Sequence, residues 1–407
     1  MKEITRRSAS VRWWDPRNVG WWLVVVLCAV GAWELGTSLG PAAARYPVTA
    51  TLAVLFSVPM FVIVWFLVRS MHIVTKPARS AGITAVAWGA AAATGVFAIK
   101  ANGAIILLLA QHVSLNFANG WGAAIAAPIT EETGKLLGIA AVLIAARSWL
   151  RGPVDGLVLG ALVGLGFLLA ENILYAFNVT VLNFGESQPL DTVAIYFVRT
   201  GLFWPISHAI FTAFAGAALG FWWGRPGARR PWWGVLCIAL AYGTHFLWNS
   251  PLLPGFLARM GFATLVPFVL WFVVHRARKA EAAWLRGVLH GEVVAGTIPQ
   301  EWVDGLGSTL HARRRYWRRV TKAYGAQGRA AQRGHEAMLV DLADAVDAGD
   351  AQAAAILRAQ ARAAHEEAQR RAAAAAHEAA RLQAAWDEYY RQVDEYRRYW
   401  AARGYRV

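Results

Sequence analysis

Long apolar runs between residues 19 and 275 constrain this chain more than any other feature. Charged residues make up only 16% of the chain, against about 25% in a soluble domain, so it lacks the charge to fold as a purely soluble protein. A membrane-spanning helix needs about 20 mostly apolar residues. The sequence has eight such stretches, at residues 19–39, 48–68, 81–99, 121–146, 154–178, 192–223, 232–249 and 256–275. It therefore predicts an all-α fold, a polytopic membrane helix bundle with about eight transmembrane helices.

Three segments lie outside these runs. Residues 1–18 form a short N-terminal segment, and residues 100–120 combine a brief apolar run with polar residues, which predicts a short interfacial or re-entrant segment. Residues 276–407 are rich in Ala, Arg and Glu, which predicts a soluble helical C-terminal tail. From Ala351 to Trp400 this tail has no Gly or Pro, so we expect a long solvated helix or a helical hairpin, with a coiled coil only weakly specified.

The charges of the loops predict the orientation. Basic residues cluster at the N-terminus, after the second, fourth and sixth spans, and at the start of the tail, whereas the other loops hold few. Because cytoplasmic loops carry the excess of Lys and Arg, both termini are expected in the cytoplasm, and the protein in the cell membrane. The composition is typical of a GC-rich bacterial genome.

Four consecutive spans carry polar side chains that a membrane tolerates only for a reason. In each span a reactive group and a second group lie four residues apart, and residues i and i+4 share one face of a helix. The pairs are Glu131 with Lys135, Phe167 with Glu171, His208 with Thr212, and His245 with Asn249. Their depths along the spans are compatible with a single cavity in the middle to outer part of the membrane. Rows of glycine at 156, 160 and 164 and at 216, 220 and 224 would let helices approach closely.

Each of these residues also has an ordinary structural explanation. Glu132 could pair with Lys135, His208 and His245 could be hydrogen-bonded core histidines, and Asn249 could join two helices. Arg199 could pair with Glu171 or contribute to the same site. The common spacing and the similar depth favour a functional site over five independent structural roles.

The motifs resemble the PrsW family of intramembrane proteases, which are relatives of the type II CAAX prenyl endopeptidases. Glu131-Glu132-x-x-Lys135 matches the EExxK signature, and Phe167 to Glu171, followed by Asn172, matches the second motif. His208 to Thr212 and His245 to Asn249 match the third and fourth. The resemblance covers residues 120–250 within a transmembrane protease domain at 19–275. It implies an intramembrane endopeptidase, a metalloprotease or a glutamate-type protease, that hydrolyses a peptide bond of a membrane-anchored protein near the outer half of the membrane.

Peptide hydrolysis needs an activated water, a donor for the oxyanion and an acid for the leaving amine. Paired glutamates in a low dielectric cannot both ionise cheaply, so one would act as base and the other as its protonated or orienting partner. We favour Glu131 over Glu132 as the base because Lys135 lies one helical turn below Glu131. Asn249 is a neutral donor suited to an oxyanion.

The metal dependence stays open at this stage. Glu171, His208 and His245 form a carboxylate and two imidazoles, a ligand set suited to zinc. The prenyl endopeptidases have also been described as metal-free glutamate proteases, in which histidine would polarise the water or the carbonyl. The catalytic residues expected from the motifs are Glu131, Glu132, Lys135, Glu171, Asn172, His208, His245 and Asn249.

Two other classes of protein would use similar residues. A proton-coupled or ion-coupled transporter also buries Glu, His and Lys, although the chain shows no internal repeat of the kind found in many transporters. A non-catalytic receptor would leave the four motifs unexplained. The basic cluster at residues 313–319 could contact membrane lipids, and no nucleic-acid partner is expected. Some relatives of the family cleave membrane-anchored anti-sigma factors, which offers one candidate class of substrate.

Overall fold

The computed structural model describes residues 17–71, 79–145, 150–182, 189–197, 199, 206–225, 229–306 and 310–403. These residues form helices and turns, with no strand among them, which confirms the predicted all-α fold. Two π-helical segments, Trp88–Ala98 and Pro128–Glu132, join α3 to α4 and α5 to α6. The α-helices are α1 (Val19–Arg45), α2 (Pro47–Arg69), α3 (Arg79–Ala87), α4 (Ile99–His112), α5 (Leu115–Ala127), α6 (Thr133–Ala145), α7 (Pro153–Leu182), α8 (Pro189–Tyr196), α9 (Ser207–Trp223), α10 (Pro231–Asn249), α11 (Gly255–Val294), α12 (Gln300–Asp304), α13 (Leu310–Asp347) and α14 (Ala351–Ala401).

Several helices are long and apolar enough to cross a membrane. Among the described residues there are five, at Val19–Arg45, Pro47–Arg69, Ser80–His112, Pro153–Thr180 and Gly255–Val294. A helix satisfies its backbone hydrogen bonds internally, which is what a segment in lipid requires. The protein is thus a polytopic helical membrane protein, while the number of eight spans stays a prediction.

The stretch at 100–120 differs from the expected interfacial or re-entrant segment, because it is helical almost throughout. Helix α4 continues to His112, the chain turns at Val113 and Ser114, and α5 begins at once. The Ser114 side chain caps α5 by accepting a hydrogen bond from the Phe117 N–H at 3.1 Å, which satisfies one of the free donors at a helix start. The polar residues of this stretch therefore lie in the ends of two connected helices.

The two glycine rows pack directly on each other. An added Cβ on Gly160 would lie 2.1 Å from the carbonyl oxygen of Thr212, and one on Gly216 would lie 2.0 Å from the carbonyl oxygen of Gly156. The backbones of α7 and α9 therefore touch, as small residues allow. This contact fixes the register between the helix that carries Glu171 and the helix that carries His208.

The predicted sixth span, residues 192–223, is described as two helices, α8 and α9. The residues 198 and 200–205 between them lie outside the described part of the chain, as do residues 1–16 and most of the basic loops at 72–78 and 146–149. Arg199 is described and contacts Glu171.

Helices α11 to α14 enclose a second hydrophobic core, which includes Leu285, Leu339 and Leu357. Helix α11 begins in the apolar part of the chain and runs without a break past the predicted boundary at residue 275, as far as Val294. Arg225, just after α9, forms an ion pair with Asp344 on α13, and its guanidinium lies 3.9 Å from the centre of the Trp284 ring on α11. The second core is thereby attached to the end of α9.

Candidate active site

A π-helical segment places the two adjacent glutamates. Pro128 has no backbone N–H and cannot continue the α-helical ladder, and the chain passes through π-helical turns from Pro128 to Glu132 before α6 begins. Such segments are rare and are frequent at functional sites. Both glutamates are buried, with 4% of Glu131 and none of Glu132 exposed, so each carboxylate needs partners inside the protein.

Glu132 is held by donors from three helices. Its Oε1 lies 2.8 Å from Lys135 Nζ and 3.0 Å from His245 Nδ1, and its Oε2 accepts a hydrogen bond from Thr212 Oγ1 at 3.0 Å. A carboxylate with this many donors is stabilised in its ionised form. Glu132 does not line the cavity, and its contacts fix the positions of α6, α9 and α10 relative to one another.

Glu131 faces the cavity instead. Its Oε1 accepts a hydrogen bond from Asn102 Nδ2 at 2.9 Å. Its Oε2 lies 3.8 Å from His208 Nδ1 and 3.9 Å from His245 Nε2. One carboxylate oxygen and two imidazole nitrogens therefore converge on one point at the inner end of the cavity.

The partners of the two imidazoles indicate their tautomers. His208 Nε2 lies 2.8 Å from Glu171 Oε2, and His245 Nδ1 lies 3.0 Å from Glu132 Oε1, so each of these nitrogens carries a proton that it donates to a carboxylate. The lone pairs of His208 Nδ1 and His245 Nε2 then point towards Glu131. The ring of Phe211 stacks on His245 at a centroid distance of 4.6 Å and restricts its orientation.

Lys135 supplies positive charge to this cluster. Its Nζ lies 2.8 Å from Glu132 Oε1, 3.5 Å from Glu131 Oε2 and 2.9 Å from His208 Nδ1, and it sits 3.8 Å from the centre of the Phe167 ring. The expected position one turn below Glu131 is present, but the shorter contact is with Glu132. Lys135 therefore offers no basis for choosing Glu131 as the base, and that choice depends on access to the cavity.

Glu171 is the outer carboxylate of the cluster. Besides His208, it binds Arg199, whose Nη2 donates to Glu171 Oε2 at 2.7 Å and whose Nε donates to Asn172 Oδ1 at 3.3 Å. The Arg199 guanidinium also lies 3.5 Å from the centre of the Tyr175 ring. Of the two roles considered for Arg199, the structure shows the pair with Glu171.

A cavity of about 750 Å³ connects these groups. Asn249 lines it, one helical turn after His245 on α10, and Arg259 lines it from α11. A space of this size is in the range of a small-ligand or peptide-binding pocket. The cavity thus brings Glu131, Glu171, His208, His245 and Asn249 to one space, together with Asn172 and Arg199.

The donor set at the inner end of the cavity fits a metal ion. Within the described part of the chain, Glu131, His208 and His245 each offer one ligand atom, and these atoms lie within 4.8 Å of one another. Metal-binding histidines almost always donate their other N–H to a carboxylate or carbonyl, and both histidines do so here, to Glu171 and to Glu132. The geometry favours Glu131 over the expected Glu171 as the third ligand, because Glu171 is already bound to the far nitrogen of His208.

Two contributors to the site escaped the sequence motifs. Asn102 on α4 binds Glu131, and Thr130 in turn hydrogen-bonds Asn102 and the Ala126 carbonyl oxygen. Asn102 lies in the stretch that we expected to be interfacial or re-entrant. An asparagine followed by the apolar run at 104–110 was the available signal, since polar residues at membrane depth usually have a partner.

Comparison with protein families identifies the bundle. Residues 77–274 match the family described as PrsW family intramembrane metalloprotease, and this range contains all four motifs and Asn102. Comparison with curated proteins and with solved structures gives no match. The segment from residue 77 to residue 274, which builds the cavity and its Glu/His cluster, belongs to the PrsW family of intramembrane metalloproteases.

Proposed function

We propose that this membrane-embedded endopeptidase hydrolyses a peptide bond of a membrane-anchored protein in the outer half of the membrane, with Glu131, His208 and His245 as the reactive centre. The observation that carries the proposal is the convergence of Glu131 Oε2, His208 Nδ1 and His245 Nε2 at the inner end of the cavity. A signalling protein such as an anti-sigma factor is the kind of substrate that the family suggests.

The residues supply each part of the reaction. A water placed between Glu131 Oε2 and the two imidazole nitrogens gives its proton to Glu131 as its oxygen attacks the carbonyl carbon. Asn249, one turn from His245, donates a hydrogen bond to the oxyanion. The proton then passes from Glu131 to the amide nitrogen as the C–N bond breaks, which regenerates the carboxylate.

Glu132 and Glu171 have positioning roles in this scheme. Each accepts a proton-bearing nitrogen of one histidine and so keeps the opposite lone pair towards the reaction centre. Lys135 and Arg199 compensate their charges, which lowers the cost of four carboxyl and imidazole groups in one buried site. A zinc ion held by Glu131, His208 and His245 would supply Lewis-acid activation of the water.

The experiment is cleavage in a defined membrane. Purified protein is reconstituted in liposomes with a panel of single-span reporter proteins, and the wild type is compared with Glu131→Gln and with Glu34→Gln. Glu34 is a matched control, since it pairs with Lys100 at 2.8 Å outside the cavity. We expect cleavage by the wild type and by Glu34→Gln, and a loss of at least about 10²-fold in Glu131→Gln. Equal cleavage by wild type and Glu131→Gln would contradict the proposal. Solute flux without any cleavage would favour the transporter.

A further inference from the structure

The last part of α14 carries an apolar stripe with a seven-residue repeat. The spacing of its members alternates between four and three residues, which is the a and d pattern of a coiled coil. They are Leu382, Trp386, Tyr389, Val393, Tyr396 and Trp400, and we call them the aromatic seam. A mean spacing of 3.5 residues keeps one stripe facing a partner helix over its whole length.

The aromatic seam is open, although the beginning of the same helix is not. Ala354, Leu357 and Ala361 are buried in the second core. By contrast, Trp386 is 55% exposed and Tyr396 is 57% exposed. Soluble surfaces rarely leave a continuous apolar stripe of this size in water, so the aromatic seam has the character of a contact surface.

The charges of this part of α14 are placed away from the aromatic seam and pair within the helix. Arg391 binds Glu388 at 2.7 Å and Glu395 at 3.2 Å, and Arg381 binds Glu378 at 2.9 Å. Of the positions that flank the seam between residues 383 and 399, only Arg397 is charged. The other flanking residues are Gln383, Ala385, Tyr390, Gln392 and Tyr399. These neutral flanks do not require a partner of opposite charge.

The net charge argues against a lipid surface as the partner. Residues 382–403 contain four acidic residues, Asp387, Glu388, Asp394 and Glu395, and four basic residues, Arg391, Arg397, Arg398 and Arg403. Helices that lie on anionic membranes carry an excess of Lys and Arg on their polar face. This segment has no such excess, and its heptad period specifies a helix as the partner.

We propose that the aromatic seam binds the same seam of a second copy, in a parallel two-helix contact. In a parallel pair, Gln392 of one copy faces Arg397 of the other and Ala385 faces Tyr390, so no like charges oppose each other. Two copies in one membrane present their C-terminal helices from the same side, which favours the parallel arrangement and raises the local concentration. The half-exposed aromatic side chains of both copies would bury on the order of 1,000 Å², which is near the lower limit for a specific interface.

Disulfide crosslinking of the full-length protein in liposomes tests this arrangement. In a background with Cys28 and Cys237 replaced by alanine, Val393→Cys puts a thiol in the seam and Ala384→Cys puts one on the opposite face of the same helix. We expect Val393→Cys to form a covalent dimer at least about tenfold faster under mild oxidation, because facing seam positions lie close to disulfide range. Equal rates for the two variants would overturn the proposal.

A second pair of variants separates association from folding. Tyr389→Glu with Tyr396→Glu places charges in the seam, whereas Arg398→Glu changes a charge on the outer face. We expect the double variant to sediment as a monomer with unchanged helix content and Arg398→Glu to sediment as the dimer. A dimeric double variant would overturn the proposal. So would a Val393→Cys protein that does not crosslink and whose thiol label is shielded from a water-soluble quencher, because that result assigns the seam to lipid.

Discussion

His245 and Glu132 come from different helices and bind each other, with His245 Nδ1 3.0 Å from Glu132 Oε1. The contact uses the nitrogen that faces away from the cavity and leaves Nε2 directed at Glu131. His208 has the same arrangement with Glu171, through its other nitrogen. The adjacent glutamates of the EExxK motif thus have different surroundings, one at the reaction centre and one behind a histidine.

Metal analysis of glutamate variants separates a ligand from a carboxylate that orients a ligand. We expect Glu131→Gln to lose bound zinc, because it removes one of three donors. Glu171→Gln should keep the metal with an affinity lowered about 10- to 100-fold, the usual effect of losing a partner of a ligand. Zinc content and competition with a chromophoric chelator measure both. Full zinc content in Glu131→Gln together with its loss in Glu171→Gln would restore Glu171 as the ligand.

Asn102 is expected to position Glu131. Asn102→Ala removes the donor to Glu131 Oε1 and should lower kcat/KM about tenfold, the equivalent of one hydrogen bond to a charged group. Asn102→Asp should lower it further because it places a like charge beside Glu131. Asn119→Ala, at an exposed position of α5, is the matched control and should keep full activity. A normal kcat/KM in Asn102→Asp would refute the role.

Gly164 is expected to tolerate no side chain. A Cβ there would lie 2.1 Å from the carbonyl oxygen of His208, so Gly164→Ala must separate α7 from α9. We expect loss of cleavage and a lower Tm. Gly243→Ala on α10 meets no atom within 4 Å and should raise the Tm slightly through helix propensity. Thermal unfolding and cleavage assays on both variants test the contrast, and an active, stable Gly164→Ala would contradict it.

The ion pair between α13 and the end of α9 predicts a dependence on pH. Burial raises the pKa of Asp344 to about 6 from an ordinary value of 3.8, although Arg225 and Arg151 oppose the shift. The packed state therefore binds a proton that the unpacked state releases, so packing weakens as the pH rises from about 4 to about 6. Hydrogen exchange of α13 should increase over this range.

Asp344→Asn should flatten that profile because it removes the titrating group, although Asp155 and Asp341 remain nearby. Asp394→Asn makes the same change of charge at an exposed position of α14 and should keep the wild-type profile. An unchanged profile in Asp344→Asn would assign the pH dependence to another group.

The orientation is tested by reporter fusions at Gly185 and Gly227, which lie outside the described residues. The alternating basic loops predict that the first is outside the cell and the second is in the cytoplasm. Equal signals from the two sites would contradict the predicted topology.

The sequence predicts those parts of the site that are local to one helix. His245 and Asn249 lie on one face because residues four apart do so in any α-helix. Which carboxylate meets which histidine depends on the register between helices, and no single-helix pattern contains that information. Lys135 illustrates the limit, since helical spacing favours Glu131 as its partner while the π-helical segment brings it closer to Glu132.

The contribution of α4 could not be predicted for a related reason. Asn102 is far from the motifs along the chain and reaches Glu131 only because α4 packs beside α5, to which it is joined by a tight turn. The glycine rows predicted a close contact, and the structure shows that α7 and α9 are the two helices that make it. The boundary proposed at residue 275 has no counterpart in the helices, since α11 runs through it.

The contact between Gly164 and the His208 carbonyl has a consequence for how this protein can change over evolution. In many enzymes a scaffold can gain or lose stability while the reactive groups keep their places. Here the backbone of a reactive histidine is itself part of the tightest helix contact, so any larger residue in that contact moves the imidazole as well. Scaffold stability and the spacing of the Glu/His cluster are therefore one inherited trait, and variants that relax the packing cannot leave the chemistry untouched.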